Sequence, residues 1–559
     1  MLQRLPAAAL LLLPGALLSG DLAAAAKPPR PNIVIIMFDD LSPRIGALGD
    51  PIAHTPNIDA VAREGIRYPN TFVTAPVCAP SRAALFSGRY QQTITAQHMR
   101  TKGQAGLPGG GPIEYEAVPP APVKWLPEIL RGAGYYTINV GKTDYQIGDP
   151  FTIWDVNERQ ADWRKRPKDK PFFAFINLHR THESYIWPED LKSDSPLVKQ
   201  VVARNRLELA RKPRLTDPAN VRVPAYLPDT PAVRADIARV YDNIAFDERD
   251  VGTIMAALKA DGVLDNTLVL ITGDHGDGLP RMKRAIYDAG LRVPLIVRLP
   301  DGRYADTERK QLISFVDVAP TVLTVAGVPV PKWMHGKPFL GATASKNRYV
   351  YAGADRFDEV PEWQRSVHDG RFQYIRNLRA DVPFFRPLAF RDVLPTMQDM
   401  WRLHREGRLT PSVEQYFVAP KASEELYDLK SDPDTVRNIA GDPSYRRKLV
   451  ELRRAYERWT ARVGDDSQVP ERTMIERIWP GMKQPLTGAP SVEIKRRGSQ
   501  HLLVARPTTD GSSIGYRLAP DGPWQLYTRP VSLPDDSRVE VKAIRYGYAE
   551  SAVVRASIR

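Results

Sequence analysis

Apolar residues along the chain gather into short continuous runs that break off at clusters of polar ones. Asn32-Ile33-Val34-Ile35-Ile36-Met37-Phe38 follows a Pro-rich lead-in, Lys27-Pro28-Pro29-Arg30-Pro31, and stops at Asp39-Asp40. Thr137-Ile138-Asn139-Val140 runs into Gly141-Lys142, Phe172–Leu178 into His179-Arg180-Thr181-His182, and Leu268-Val269-Leu270-Ile271-Thr272 into Gly273-Asp274-His275-Gly276. β-Branched runs of this length, without polar alternation, predict strands buried on both faces. Between them, residues 55–65, 124–134 and 233–260 read as helices. Strands alternating with helices predict an α/β fold, a mainly parallel sheet flanked by helices. In such sheets functional groups collect just past the carboxyl ends of the strands. Four strand ends thus deliver polar residues.

The texture changes further on. Residues 348–377 read as short strands and 392–408 as a helix. From Pro490 onward, β runs at 491–494, 501–504 and 539–544, separated by Gly, Asp and Pro turns, predict a β-sandwich. At 559 residues the chain exceeds what one core organises. The expected division is a signal peptide over 1–26, a catalytic α/β domain over 27–345, a small C-terminal α+β subdomain over 346–480 and an appended β-sandwich over 490–559. The signal reading rests on Arg4, the apolar stretch 7–18 and Ala23-Ala24-Ala25-Ala26. A membrane-spanning helix needs about 20 apolar residues, and Pro14, Gly15 and Asp21 interrupt this one. An exported protein, periplasmic or secreted and without a membrane span once the signal is removed, is expected.

Composition changes this picture in two places. A single Cys in the whole chain excludes an internal disulfide, so stability rests on packing and any bound metal. The formal charge of +13 favours anionic partners, whether sulfated or phosphorylated sugars, nucleic acid or an anionic surface. Basic residues are scattered rather than gathered in one run, so charge alone does not choose among them. The 51 Pro, together with plentiful aromatics, point to long ordered loops rather than disorder.

The candidate chemistry starts at Cys78. Alone it reads as a buried free Cys at a helix start. Asp39-Asp40 alone reads as a cap or turn, and Lys142, His182 and Lys283 singly as solvated or satisfied side chains. The string Cys78-Ala79-Pro80-Ser81-Arg82-Ala83-Ala84-Leu85-Phe86-Ser87-Gly88-Arg89, however, resembles the signature of the sulfatase family, Cys-x-Pro-Ser-Arg followed by Leu and Gly-Arg. This family has the alkaline-phosphatase-like fold. His54-Thr55-Pro56-Asn57-Ile58-Asp59 and Glu425-Leu426-Tyr427-Asp428-Leu429, with Asp432-Pro433 and Asn438, extend the resemblance through most of the mature chain. The stretches around Lys142 and His182 look most like bacterial heparan-sulfatase and N-sulfoglucosamine sulfohydrolase-like proteins. The terminal module resembles the C-terminal sandwich of chitobiase and hexosaminidase enzymes.

The resemblance implies hydrolysis of sulfate esters or sulfamates on glycans, heparan-type fragments among them. Cys78 is then oxidised to formylglycine by a maturation enzyme. As a hydrate it offers one hydroxyl to attack sulfur and keeps a second whose deprotonation expels sulfate. Asp39, Asp40, Asp274 and His275, with the oxygen at Cys78, match the family's metal ligands, an oxygen-rich set suited to Ca2+. His275 is the softest of these donors. Arg82 orients the hydrate, Lys142 and Lys283 hold sulfate oxygens, and His182 is the candidate acid. Many sulfatases carry His two residues after the first Lys, where this chain has Asp144; an acid there orients Lys142 or contacts the sugar. The implied partners are a sulfated carbohydrate and the maturation enzyme, with no nucleic acid. Two alternatives stay open: a phosphonate or phosphate ester hydrolase of the same superfamily, and a non-catalytic glycan-binding protein with an unmodified Cys78.

Overall fold

The computed structural model describes residues 30–102, 111–209, 212–465, 468–518 and 520–558. The expected signal peptide, residues 1–26, lies outside the described residues. Eight strands form the main sheet: β1 (Asn32–Phe38), β2 (Ile66–Arg67), β3 (Tyr136–Val140), β4 (Val156–Asn157), β5 (Phe172–Leu178), β6 (Thr267–Gly273), β7 (Leu295–Arg298) and β8 (Thr307–Glu308). Their spatial order is β8-β2-β7-β6-β1-β5-β3-β4. Every residue of β1, β5 and β6 is buried. Each buried Ile, Val or Phe side chain contributes about 1.5–3 kcal/mol, so this apolar centre holds the sheet between its helical layers. Among the helices are α1 (Pro56–Arg63), α2 (Cys78–Ser87), α3 (Leu126–Gly132), α4 (Pro196–Leu209) and α5 (Pro231–Ala260). Thr230 starts α5 by accepting a hydrogen bond from the Val233 N–H, the usual capping solution for an orphan donor.

The sheet is mainly parallel, as expected, with one reversed strand. β7 runs antiparallel to both β6 and β2. A parallel return needs a crossover to the far end of the sheet. The chain leaving β6 instead stays at the carboxyl edge through Asp274–Leu291 and re-enters from that same edge, so it must run backwards. The excursion keeps Asp274, His275 and Lys283 at the edge where β1 ends.

Beyond the main sheet, Val350–Phe357, Val360–His368, Phe372–Asn377 and Glu424–Asp428 form a four-stranded antiparallel meander. A helix that the sequence reading passed over, Arg446–Val463, packs Leu449, Leu452, Ala455 and Trp459 inward. The C-terminal residues build two antiparallel sheets, of three and four strands. Leu503, Ile514, Leu533, Val539 and Val541 share one apolar cluster between them. Among the described residues no helix is long and apolar enough to cross a membrane.

A buried carboxylate ties the C-terminal sheets to α3. Glu128 accepts hydrogen bonds from Thr152 Oγ1 (2.6 Å), Ser513 Oγ (2.5 Å) and Tyr546 Oη (2.6 Å). Burial alone raises its pKa, but Lys124 and the three hydroxyls together bring it below the ordinary value. Replacing it takes the acceptor from three buried hydroxyls and the nearest counter-charge, 3.7 Å away, from Lys124. Glu128→Ala is expected to cost about 3 kcal/mol, read as a lower denaturant midpoint, and to make the segment joining the two parts more sensitive to protease; Glu128→Gln should lose less.

Candidate active site

Register places the four predicted strand ends side by side. Phe38 of β1 pairs with Leu178 of β5 and with Gly273 of β6, and Val140 of β3 pairs with Ile176 of β5. Asp39, Lys142, the His182 turn and Asp274 therefore leave the sheet along one edge. Side chains of successive extended residues point to opposite faces, which would separate Asp39 from Asp40. The chain avoids this by taking a left-handed conformation at Asp40, φ 67°, one that Asp tolerates better than most residues. The Asp40 N–H then donates to Asp274 Oδ1 at 2.9 Å, and the Glu183 N–H donates to Asp40 Oδ2 at 2.7 Å. Gly278 lets the neighbouring loop close in, since a Cβ there would lie 2.5 Å from Glu183 Cα and 2.9 Å from Asp40 Oδ2.

Cys78 opens α2, directly after Val77, which supplies no side-chain cap. One turn later Arg82 lies on the same helix face. Arg82 donates from Nε to Asp274 Oδ2 (2.8 Å), from one terminal nitrogen to Asn177 Oδ1 (2.5 Å), and from the other to Asp39 Oδ1 (3.4 Å). Cys78, Arg82, Asp40, Asp274 and His275 are all fully buried. Oxygens of Asp39, Asp40 and Asp274 lie within 4.8 Å of one another, as do single donor atoms of Cys78, Asp274 and His275, and of Asp40, Cys78 and His182.

Each carboxylate has its own cation. Lys142 Nζ is 3.0 Å from Asp39 Oδ1 and Lys283 Nζ is 2.8 Å from Asp40 Oδ1; Arg82 serves Asp274. Burial raises the Asp39 pKa, but Lys142, His182 and Arg82 outweigh it and hold the group well below the usual carboxylate range. For Asp40 burial wins over Lys283, and Asp39 and Asp274 add repulsion, so its pKa rises. Burial pushes the Cys78 thiol up to about 12 despite Lys142 and Lys283. Asp144 Oδ2 sits 3.1 Å from Lys142 Nζ, so the residue that departs from the family pattern forms an ion pair with the lysine.

The two histidines are locked in opposite tautomers. His275 Nδ1 lies 2.8 Å from the Gly276 carbonyl, which only accepts, so Nδ1 carries the proton. In the neutral ring this leaves the lone pair on Nε2, which lies 3.3 Å from Cys78 Sγ and 3.2 Å from Asp40 Oδ1. A backbone carbonyl behind the ring is the arrangement that suits a metal-binding imidazole. His182 Nδ1 instead accepts from the Ser184 N–H (3.2 Å) and lies 2.9 Å from Ser184 Oγ, which itself accepts from Arg204 at 2.9 Å. The neutral ring therefore holds its proton on Nε2. Burial first, then Lys283 and Lys142, pushes the His182 pKa well down.

Three carboxylates and one imidazole lone pair around Cys78 fit a hard divalent cation, since Ca2+ takes oxygen ligands at about 2.3–2.6 Å and neighbouring donors about this close can share one ion. Asp39, Asp40, Asp274 and His275 are the residues that would hold it.

Several contributors escaped the sequence reading. Asn177 links Arg82 to β3 by donating to the Val140 carbonyl at 2.9 Å. It is the one polar residue in the fully buried strand β5, a signal that was available. Glu183, fully buried, accepts both 2.9 Å and 3.0 Å bonds from Arg284; Ser184 and Arg204 set His182. Arg284 and Arg204 have no local signature, because their partners are distant in sequence.

A sulfatase family model matches residues 31–153 and 154–328. The chain is 40% identical to an ulvan-active sulfatase of Formosa agariphila, over 97% of this chain and 94% of that one. It is 27% identical to the N-sulphoglucosamine sulphohydrolase of Homo sapiens, over 77% of this chain and 90% of that protein. A crystal structure of the phosphonate monoester hydrolase of Agrobacterium radiobacter superposes with a TM-score of 0.52 at 16% identity, covering 85% of this chain and 100% of that one; it shares the fold.

Asn177→Ala removes one Arg82 contact and leaves buried polar groups unpaired. It is expected to cost about 2 kcal/mol of stability, measured by denaturant unfolding, and to lower turnover by an order of magnitude or more because Arg82 is then free to shift.

Proposed function

This chain belongs to the sulfatase family and is a sulfuric ester hydrolase; we propose that it removes sulfate from glycans, acting on sulfate esters or sulfamates of acidic polysaccharide fragments, heparan-type chains among them. Similarity to an ulvan-active sulfatase and to an N-sulphoglucosamine sulphohydrolase supports a sugar substrate. The observation that carries the reading is the convergence of Asp39, Asp40, Asp274, Arg82, Lys142 and Lys283 on Cys78 from three strand ends, one helix start and the excursion that follows β6. A binding protein needs no such paired set of carboxylates and cations at one sulfur atom.

In this reading a maturation enzyme oxidises Cys78 to formylglycine, whose hydrate supplies an oxygen nucleophile and, through its second hydroxyl, a route for sulfate to leave. Ca2+ held by Asp39, Asp40, Asp274 and His275 supplies Lewis-acid polarisation and offsets sulfate charge. The remaining work falls to side chains. Arg82, immobilised by Asp274 and Asn177, orients the oxygen at position 78. Lys142, partly exposed, and Lys283, buried, bring positive charge to the sulfate oxygens. His182, the candidate acid, keeps a neutral ring with its proton on Nε2, so it steadies the charge developing on the leaving oxygen as a hydrogen-bond donor. Export to the periplasm or exterior belongs to the same reading and rests on the signal-like pattern of residues 1–26. So does the division into a catalytic domain (27–345), a subdomain (346–480) and a sandwich (490–559), supported by separate apolar clusters around Tyr374 and Leu452 and around Leu503 and Val541.

Mass spectrometry of the Cys78 peptide from active protein should find an aldehyde in place of the thiol, and Cys78→Ala should lower turnover of a sulfate ester by about 1000-fold or more. Thiol alone in fully active material would rule the mechanism out. Purified, Ca2+-loaded protein should release sulfate from sulfated disaccharides faster than phosphate from a phosphate diester; the reverse preference would favour the phosphonate-hydrolase alternative. Chelation of Ca2+ should lower both activity and melting temperature, because a ligand held only by the folded state stabilises it.

A further inference from the structure

Arg100 stands outside the residues assigned so far. It lines a cavity of about 340 Å³ with Ala79, the neighbour of Cys78, and with Tyr115, Thr143, Asp144 and Gln146. A space of that size accommodates a sugar ring. The acids along its wall already have partners. Lys102 pairs with Glu116, Lys142 lies 3.1 Å from Asp144, and Asn157 donates to both oxygens of Asp149 at 2.9 Å. Arg100 is the exception. Among the described residues its guanidinium makes a single ion-pair contact, Nε at 3.4 Å from Asp358 Oδ1, and no hydrogen bond. The other oxygen of Asp358 is taken by Arg284.

The backbone holds Arg100 in this place deliberately. Its φ is 58°, the left-handed region that non-glycine residues adopt only where the surroundings impose it. Those surroundings are visible on both sides: the Met99 N–H donates to the Arg356 carbonyl at 2.9 Å, and Arg356 returns a bond to the Met99 carbonyl at 2.9 Å. The side chain is about 38% exposed, which leaves the planar fork available to solvent and ligand.

We propose that Arg100 binds a second anionic group of the substrate, a carboxylate or a further sulfate on the sugar that fills this cavity. A guanidinium offers two parallel N–H donors that match either group, and an Arg with one weak contact loses little on turning to it. The inference rests on the glycan-sulfatase reading and narrows it to sugars carrying a charge besides the sulfate that is removed.

The test uses three disaccharides with the same scissile sulfate: one with a uronate carboxyl, its carboxyl-reduced counterpart, and the reduced form carrying a second sulfate. Wild-type protein should show kcat/KM about 10–100-fold higher for one or both doubly anionic compounds, mainly through KM; which of the two is preferred identifies the group. Arg100→Met should shrink that preference by a similar factor, and Arg100→Lys should keep part of it. Equal kcat/KM for all three with wild-type protein would overturn the assignment, whether or not the variants fold. An equal loss on all three in Arg100→Met would overturn it too, marking a structural role. Turnover of an aryl sulfate with none of any disaccharide would instead sink the glycan reading itself, and this inference with it.

Discussion

Three carboxylates crowded together away from water are the constraint to which the rest of the site answers. At an effective dielectric of about 20, two unit charges 4 Å apart repel by roughly 4 kcal/mol, and Asp39, Asp40 and Asp274 make up three such pairs within 4.8 Å. The fold meets this by alternating charge outward in shells. Lys142, Lys283 and Arg82 each face one carboxylate. Behind them stand Asp144 beside Lys142 and Glu183 beside Lys283, and behind Glu183 come Arg284 and then Asp358. Every cation is held from two sides, so none is free to swing away while the anions remain. The arrangement is stiff before any substrate or metal arrives, which is what electrostatic catalysis requires.

The same edge of the sheet asks opposite things of two similar side chains. The neutral ring of His275 turns a lone pair inward, because the carbonyl behind it takes the Nδ1 proton. His182 turns an N–H inward, because Ser184, itself fed by Arg204, fills the other nitrogen. Neither choice lies in the histidines. Each is made by a neighbour one or two residues on, and in the second case by an arginine from α4.

What could be read from the chain alone follows from the range of the interactions. The runs at 32–38, 172–178 and 268–272 announced buried strands, because a residue's pattern depends on its near neighbours, and the polar residues after them announced the site. The signature from Cys78 to Arg89 brought the helix start to the same place by resemblance. The reversed strand Leu295–Arg298 was missed, since nothing local records which end of a sheet an excursion returns from. Helix Arg446–Val463 was missed for another reason: its apolar positions are few among many basic ones, and only the meander beneath them gives Leu449 and Trp459 a core to enter. Glu128, Asn177 and Arg204 act through partners far along the chain, and a single sequence holds no sign of those pairings.

The left-handed turn at Asp40 has a consequence for what the chain can become. The position has to satisfy a backbone demand and a charge demand together. Glycine would take the turn most easily and supply no carboxylate; glutamate would supply one and resist the turn; asparagine would take the turn and give up the charge that balances Lys283. Aspartate alone meets both conditions. The freedom to drift that most surface positions enjoy is therefore absent here, and the place where the first strand ends is bound to one amino acid by geometry as firmly as by chemistry.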